Sequence, residues 1–380
     1  MVQNLTSSGE NMINKIKKFV KKETVLCISA VLALCSMILN PPCEEYVSFI
    51  NFSTLATLFC LMITVQGFSE TGLFRFMSVK LTGRLNNTRS LSLALVLLCF
   101  FMSMLITNDV ALLTFVPLAI MLFRNNPKTL MRCVILQTAG ANLGSMLTPV
   151  GNPQNLYIFS YYEYDILSFL KVMLPVTAVS FMLILLSLFF IPSEEISTRN
   201  EKSEINFRFS RRTALYTAIF AISLCSVARL IDYRICFLAT VVAVIIFDRK
   251  ILRKPDYALL ATFVCFFILV GNLSSVESLT NLIQKMLDGR ELLVSCGLSQ
   301  IISNVPCAVM LSGFTDQSES ILLGVNIGGL GTPIASLASL ISYKLYSRSE
   351  NSNSVGYMAE FLVYNFAFLT LLLAFATFVY

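Results

Sequence analysis

"GANLGSMLTP" occupies residues 140–149 and "GVNIGGLGTP" residues 324–333, so the pattern GxNxGxxxTP occurs twice without a gap. Two further matches precede these in the same order. "ATLFCLMITV" (56–65) corresponds to "ATFVCFFILV" (261–270), and "ITND" (106–109) to "ISNV" (302–305). Three matches in one order point to an internal duplication. The setting of the repeated pattern is apolar, and Gly, Asn, Thr and Pro in such a setting interrupt a helix. Free backbone groups in lipid cost several kcal/mol each, so these breaks survive only inside protein or beside a cavity. A break presents the positive N-terminal end of one half-helix, which suits an anion, and the carbonyl end of the other, which suits a cation.

Composition fixes the solvent. The 380-residue chain is 56% hydrophobic and 13% charged, against about 25% charged in soluble domains. Apolar runs near 20 residues recur along it, the length that spans a ~30 Å hydrocarbon core. We therefore expect an all-α polytopic membrane protein. A net charge of +6 reports topology here, and no nucleic-acid partner is implied. The 11 cysteines are scattered singly, without a CxxC spacing, and histidine is absent. They read as small apolar fillers. Without histidine there is no His-based zinc site, Ser–His–Asp triad or His proton relay. No GxSxG, HExxH or GxxxxGK[ST] occurs either, so neither an enzyme nor ATP-driven transport is indicated. The first apolar run (24–40) follows a basic segment but lacks an AxA-like cleavage site and ends in "LNPP". It reads as a retained span.

Spans are expected at about 24–40, 49–67, 130–160, 168–191, 212–230, 235–248, 257–273, 318–345 and 357–379. The stretches 90–123 and 291–314 fit less well as simple crossings. If each enters the membrane and returns to the same side, 23 of the 28 Lys/Arg residues gather on one side. The other side keeps Lys171, Arg229, Arg234, Lys285 and Arg290. By the positive-inside rule this places the N-terminus in the cytoplasm and the C-terminus outside, with about nine full spans. The two hairpins then enter from opposite sides, giving an inverted repeat with two re-entrant hairpins and two broken transmembrane helices, an architecture of secondary transporters. The domain reading is a cytoplasmic segment 1–23 and a first repeat 24–191 (hairpin 90–123, broken helix 130–160). A cytoplasmic linker 192–211 and a second repeat 212–380 (hairpin 291–314, broken helix 318–345) follow.

Asp109 is the only charged residue between Arg89 and Arg124. An ionised group at the bilayer centre costs at least ~2.5 kcal/mol, so it must face a cavity, bind a cation or be protonated. Capping of the following half-helix is the alternative, and the two roles can coexist. Glu70 and Glu360 fall near helix ends on the cytoplasmic side and read as solvated surface positions. No buried Lys or Arg is visible to hold an anion, which leaves Asn, Ser and Thr side chains, half-helix N-termini and a bound cation.

"LITNDVALLTFVPLAI" (105–120), "GANLGSMLTPVGNPQN" (140–155), "SNVPCAVML" (303–311) and "GVNIGGLGTP" resemble the ion transporter superfamily. That group holds the arsenite-permease and citrate-transporter type permeases and the related divalent-anion/sodium symporters. The resemblance runs over nearly the whole chain from about residue 24. It implies a scaffold domain and a transport domain in a homodimer that moves substrate by an elevator-like step. In the dicarboxylate symporters each hairpin tip carries Ser-Asn-Thr, which contacts substrate carboxylate and sodium. Here the tips read Thr107-Asn108-Asp109 and Ser303-Asn304-Val305; Asp109 and Val305 depart from that pattern.

The expected substrate-binding residues are Asn108, Thr148, Pro149, Ser303, Asn304, Thr332 and Pro333. The expected cation-binding or coupling residues are Thr107, Asn108, Asp109, Asn142, Gly144, Asn152, Asn304, Asn326 and Gly328, with Na⁺ as the metal that such positions would hold. The expected function is secondary active transport of a small anion, such as citrate or a dicarboxylate, coupled to Na⁺ or H⁺ by alternating access. No other cofactor is implied. An arsenite/antimonite extruder or sodium/proton antiporter is the alternative, and a channel is the competing class. The expected setting is the lipid bilayer of a cell membrane, plasma or bacterial inner.

Overall fold

The computed structural model describes residues 20, 23–42, 44–82, 85, 87–195 and 210–380. Most of the expected segment 1–23 and residues 196–209 of the expected linker lie outside the described residues. Among the described residues the protein is all helical, with one isolated bridge between Asn87 and Glu195.

The first part of the chain forms α1 (Thr24–Ser36), α2 (Tyr46–Phe49), α3 (Phe52–Glu70) and α4 (Leu73–Thr82). A helical hairpin follows, α5 (Thr88–Met102) and α6 (Asn108–Leu122). A broken span, α7 (Pro127–Ser145) and α8 (Pro153–Tyr161), leads to α9 (Ile166–Leu188). The second part forms α10 (Arg211–Val227), α11 (Tyr233–Phe247), α12 (Tyr257–Ser274) and α13 (Glu277–Leu287). Its hairpin is α14 (Glu291–Ile302) and α15 (Asn304–Ser312), its broken span α16 (Ser318–Ile327) and α17 (Leu337–Ser347), and its last helix α18 (Ser354–Val379). The two series run in the same order from α3 and α12 onward.

Local chemistry sets the boundaries. The Asn51, Asn87, Asp165, Ser210, Asp256 and Asn353 side chains accept a free N–H in the first turn of α3, α5, α9, α10, α12 and α18. Pro127 and Pro153 open α7 and α8, where a missing N–H costs nothing. Among the described residues four helices are individually long and apolar enough to cross a membrane: α3, α9, α12 and α18. The remaining expected spans divide differently. Two are split by the breaks, α1 and α11 are shorter apolar helices of 13 and 15 residues, and α10, at the expected span 212–230, has 17 residues.

The hairpins enter from opposite ends of the molecule. At one end Thr88 N donates to Glu194 O (2.9 Å) and Arg89 Nε to Ile191 O (2.8 Å). Arg132 pairs with Glu360 (2.6 Å), and Arg124 with Glu350 (2.7 Å). Both feet of the first hairpin, the start of α7 and the start of α18 therefore share this end. α5 has 15 residues, about 22 Å of rise, so the hairpin tip stops within a ~30 Å core. At the opposite end Tyr162 Oη donates to Thr315 O (2.8 Å) and Tyr164 Oη meets Ser318 Oγ (2.9 Å). The foot of the second hairpin thus lies beside the end of α8. Glu70 is exposed, as expected of a solvated position, and lies 3.3 Å from Lys254, while Glu360 is half-buried against Arg132. Exposed pairs of this kind add about 1 kcal/mol or less.

Each hairpin's first arm lies against the glycines of its broken span. A Cβ on Gly144 would sit 2.0 Å from Phe100 O, and one on Gly328 would sit 2.9 Å from Cys296 Cα. The small residues of GxNxG thus let two backbones approach closely, as small-residue stripes do in membrane helices.

Candidate transport site

The duplicated pattern builds two clasps. In the first half Thr148 Oγ1 donates to Met104 O, and Asn108 N donates to Gly151 O (3.2 Å). In the second, Thr332 Oγ1 donates to Gln300 O (2.9 Å), and Asn304 N donates to Ala335 O (3.0 Å). Each threonine ties its own hairpin tip to its own break. Ser303, at φ 77°, makes the sharp turn between α14 and α15, and its Oγ donates to Ala335 O (3.3 Å).

The halves also interlock. Asn326 Nδ2 donates to Asn155 Oδ1 (2.7 Å), while Asn142 Nδ2 lies 3.5 Å from Ser339 Oγ. Asn142 and Asn326 occupy the same place in the repeated pattern, and Asn155 and Ser339 follow it at equal distance. Asn142 Oδ1 further accepts from Asn108 Nδ2 (2.8 Å) and Ser336 Oγ (3.0 Å). Asn155 Nδ2 lies 3.2 Å from the carbonyls of Ser145, Met146 and Thr148, so one buried amide serves the open end of α7.

Both tips and both breaks meet in one cleft. Its wall comprises Asn108 and Asp109, Asn152 to Gln154, Asn304 and Val305, Ser336 and Leu337, and Leu259 of α12. Its empty space is about 280 Å³ with the open mouth included. The N-termini of α6, α8, α15 and α17 all open onto it. Each such terminus carries roughly half a positive charge. Among the described residues Asp109 is the single ionisable residue in the wall.

Of the expected site residues, Asn108, Asp109, Asn152 and Asn304 lie in this wall. Thr107 stands at the N-cap of α6 without a side-chain capping bond. Thr148, Thr332 and Ser303 hold the clasps, and Asn142 and Asn326 join the halves. Gly144 and Gly328 lie against the hairpin arms. Pro149 is buried within the first break and Pro333 is half-buried in the second. Gln154, Asn155, Gln300, Ser336 and Ser339 escaped the sequence reading. Gln154 and Asn155 end the stretch "GANLGSMLTPVGNPQN", and extending the repeat beyond TP aligns Asn152 with Ser336 and Asn155 with Ser339.

The profile of the citrate transporter family (CitMHS) matches residues 12–319, which include both hairpins and the first break. The chain belongs to this family. It is 33% identical over 318 residues to an uncharacterized transporter of Methanocaldococcus jannaschii, covering 83% of this chain and 86% of that protein. It is 30% identical over 308 residues to the inner membrane protein YbiR of Escherichia coli, covering 80% and 82% respectively. A shorter match, 32% identical over 134 residues, covers 35% of this chain and 27% of the silicon efflux transporter LSI3 of Oryza sativa. This member of the citrate transporter family is a multi-pass membrane transporter.

Proposed function

We propose that this transporter moves a small anion, a carboxylate such as citrate or a dicarboxylate, by alternating access coupled to Na⁺ or H⁺. The observation that carries the reading is the convergence of four half-helix N-termini on one cleft. Together they supply positive potential without any Lys or Arg in the wall. Asp109 beside them supplies the place for a cation or proton, which would lower the repulsion between carboxylate and anion. The cleft also joins the two inverted halves, where alternating-access transporters bind substrate. The reading includes a homodimer in a plasma or bacterial inner membrane, with the N-terminus cytoplasmic, and no catalysed reaction.

The test is counterflow in proteoliposomes. Internal citrate or a C4 dicarboxylate should accelerate entry of the labelled compound from outside. A second reading has its own support: with Asp109 as the single ionisable group of the wall, a neutral hydroxylated oxyacid such as silicic or arsenious acid also fits. Trans-stimulation by these and none by carboxylates would select that reading. Flux without trans-stimulation by any of them would point to a channel.

Orientation is checked separately. In a Cys-free background, a cysteine at Lys128 should resist membrane-impermeant maleimide added outside intact cells, and one at Asp316 should react. The reverse pattern would invert the assignment of sides.

A further inference from the structure

The duplication extends to a short helix ahead of α3 and α12, and there the charge is reversed. In the register that matches 56–65 with 261–270, Glu44 and Glu45 correspond to Arg249 and Lys250. The first pair precedes α2; the second opens a 3₁₀ helix, Arg249–Arg253. Ile251 is wholly buried and pins this helix to the protein. Three residues make one turn of such a helix, so Lys250 and Arg253 stand side by side. Both are exposed, as are Arg249 and Lys254.

Two further contacts bring more charge to the same place. Arg212 Nε lies 3.8 Å from Asp248 Oδ2, which also accepts from Tyr216 Oη (2.7 Å). The start of α10, with exposed Arg211 and Arg212, therefore lies against the end of α11. Lys254 reaches Glu70 at the end of α3 (3.3 Å). The nearby carboxylates are committed. Asp248 serves Tyr216 and Arg212, Glu70 serves Lys254, and Asp256 accepts from Leu259 N in the first turn of α12 (2.9 Å). Among the described residues Arg211, Arg249, Lys250 and Arg253 form no ion pair. Residues 196–209 hold Arg199, Lys202 and Arg208 against Glu201 and Glu204, so the linker adds no net negative charge. Just before the 3₁₀ helix, Ile245, Ile246 and Phe247 in the last turn of α11 are at least half exposed.

We propose that this surface binds an anionic phospholipid, with the phosphate held by Arg211, Arg249, Lys250 and Arg253 and the acyl chains lying along the end of α11. Guanidinium groups meet phosphate oxygens through paired N–H donors. Basic pockets between membrane helices suit anionic headgroups for this reason. The exposed apolar turn beneath the cations supplies the second half of the match, since a soluble anion has nothing to place there. None of the four cations lines the transport cleft, so the lipid acts on the fold and not on substrate recognition. At the other end of α3, Glu44 and Glu45 would repel the same headgroup, so the duplicated helix serves one membrane face only.

The experiment is thermal unfolding of the full-length protein in a neutral detergent, with added phosphatidylglycerol, phosphatidylcholine or inorganic phosphate. Phosphatidylglycerol should raise Tm by about 2 °C or more, and the other two should not. Lys250→Gln with Arg253→Gln should lose that rise. Lys128→Gln with Arg348→Gln, which removes the same charge from other exposed positions, should keep it. An equal rise with phosphatidylcholine, or no rise with any lipid, would overturn the proposal. An equal rise with inorganic phosphate would overturn it in favour of a soluble anion. Equal loss in both double variants would reduce the effect to net charge and overturn the site. Should the Lys250/Arg253 variant fail to fold, native mass spectrometry of the wild type in equimolar phosphatidylglycerol and phosphatidylcholine decides. Retained phosphatidylglycerol supports the proposal, and retention without preference overturns it.

Discussion

Asp109→Asn is expected to remove the dependence of uptake on the coupling cation, by at least about tenfold in cation affinity, equivalent to ~1.4 kcal/mol, while the protein still folds. A carboxylate kept within the membrane costs at least ~2.5 kcal/mol when ionised, so its retention calls for a partner that it meets during the cycle. Capping does not supply one. Asp109 lies in the first turn of α6, the N-cap is Thr107, and no side-chain capping bond forms. The Asp109 N–H is already taken by Asn108 Oδ1 (2.9 Å). Asn at position 109 fits the same space without charge, so folding and hairpin packing should survive. Substrate affinity should change less than cation affinity, since an anion gains nothing from direct contact with a carboxylate. Uptake measured against Na⁺ and against pH at equal expression checks this. Unchanged dependence on both would leave Asp109 without a coupling role.

Gly144→Ala is expected to cost about 3 kcal/mol or more of stability, the upper range for overpacking, and to abolish accumulation of folded protein. The added Cβ would lie 2.0 Å from Phe100 O and 2.7 Å from Phe100 C, so backbone rather than a flexible side chain must move. The arm of the first hairpin would be pushed off the broken span, and the clasp between Thr148 and Met104 would be strained with it. Gly297→Ala is the control. That residue lies within α14 with nothing inside 4 Å of the new Cβ, and replacing a helical glycine gains about 0.5–1 kcal/mol. Thermal unfolding of the two variants in one detergent should move in opposite directions. Equal behaviour would mean that the close approach of α5 and α7 carries no weight.

Much of this architecture was legible because membrane helices must satisfy their backbones within short stretches. GxNxGxxxTP marks both breaks, and the clustering of Lys/Arg anticipates that Arg89, Arg124 and Arg132 gather at one end. The equivalence of Asn108 and Asn304 likewise follows from "ITND" and "ISNV", and both side chains reach one cleft. Other features depend on contacts that no local pattern encodes. The bond from Asn326 to Asn155 joins residues 171 positions apart and exists because the halves interlock. The close approach of Gly144 and Gly328 to the neighbouring hairpin arms depends on where those arms pack. The cationic partners of Glu70 and Glu360, Lys254 and Arg132, arrive from distant segments and leave no mark in the local sequence. Gln300 attracts no notice in sequence, since a single glutamine in an apolar helix acquires meaning only from the Gly328 and Cys296 carbonyls around it.

The crossed bonds between the halves bear on how the chain is made. Residues 24–191 leave the ribosome with a polar gap at 146–152, while Ser336 and Ser339, which meet Asn142, and Asn326, which meets Asn155, have yet to be synthesised. Until those arrive, Asn142 and Asn155 have only bonds within their own half, and lipid offers none. The first half is therefore expected to depend on the second for these bonds until nearly the whole polypeptide has emerged. Stop codons or frameshifts between residues 200 and 320 would leave a fragment that quality control should degrade, whereas the two halves supplied as separate polypeptides retain the means to recognise each other.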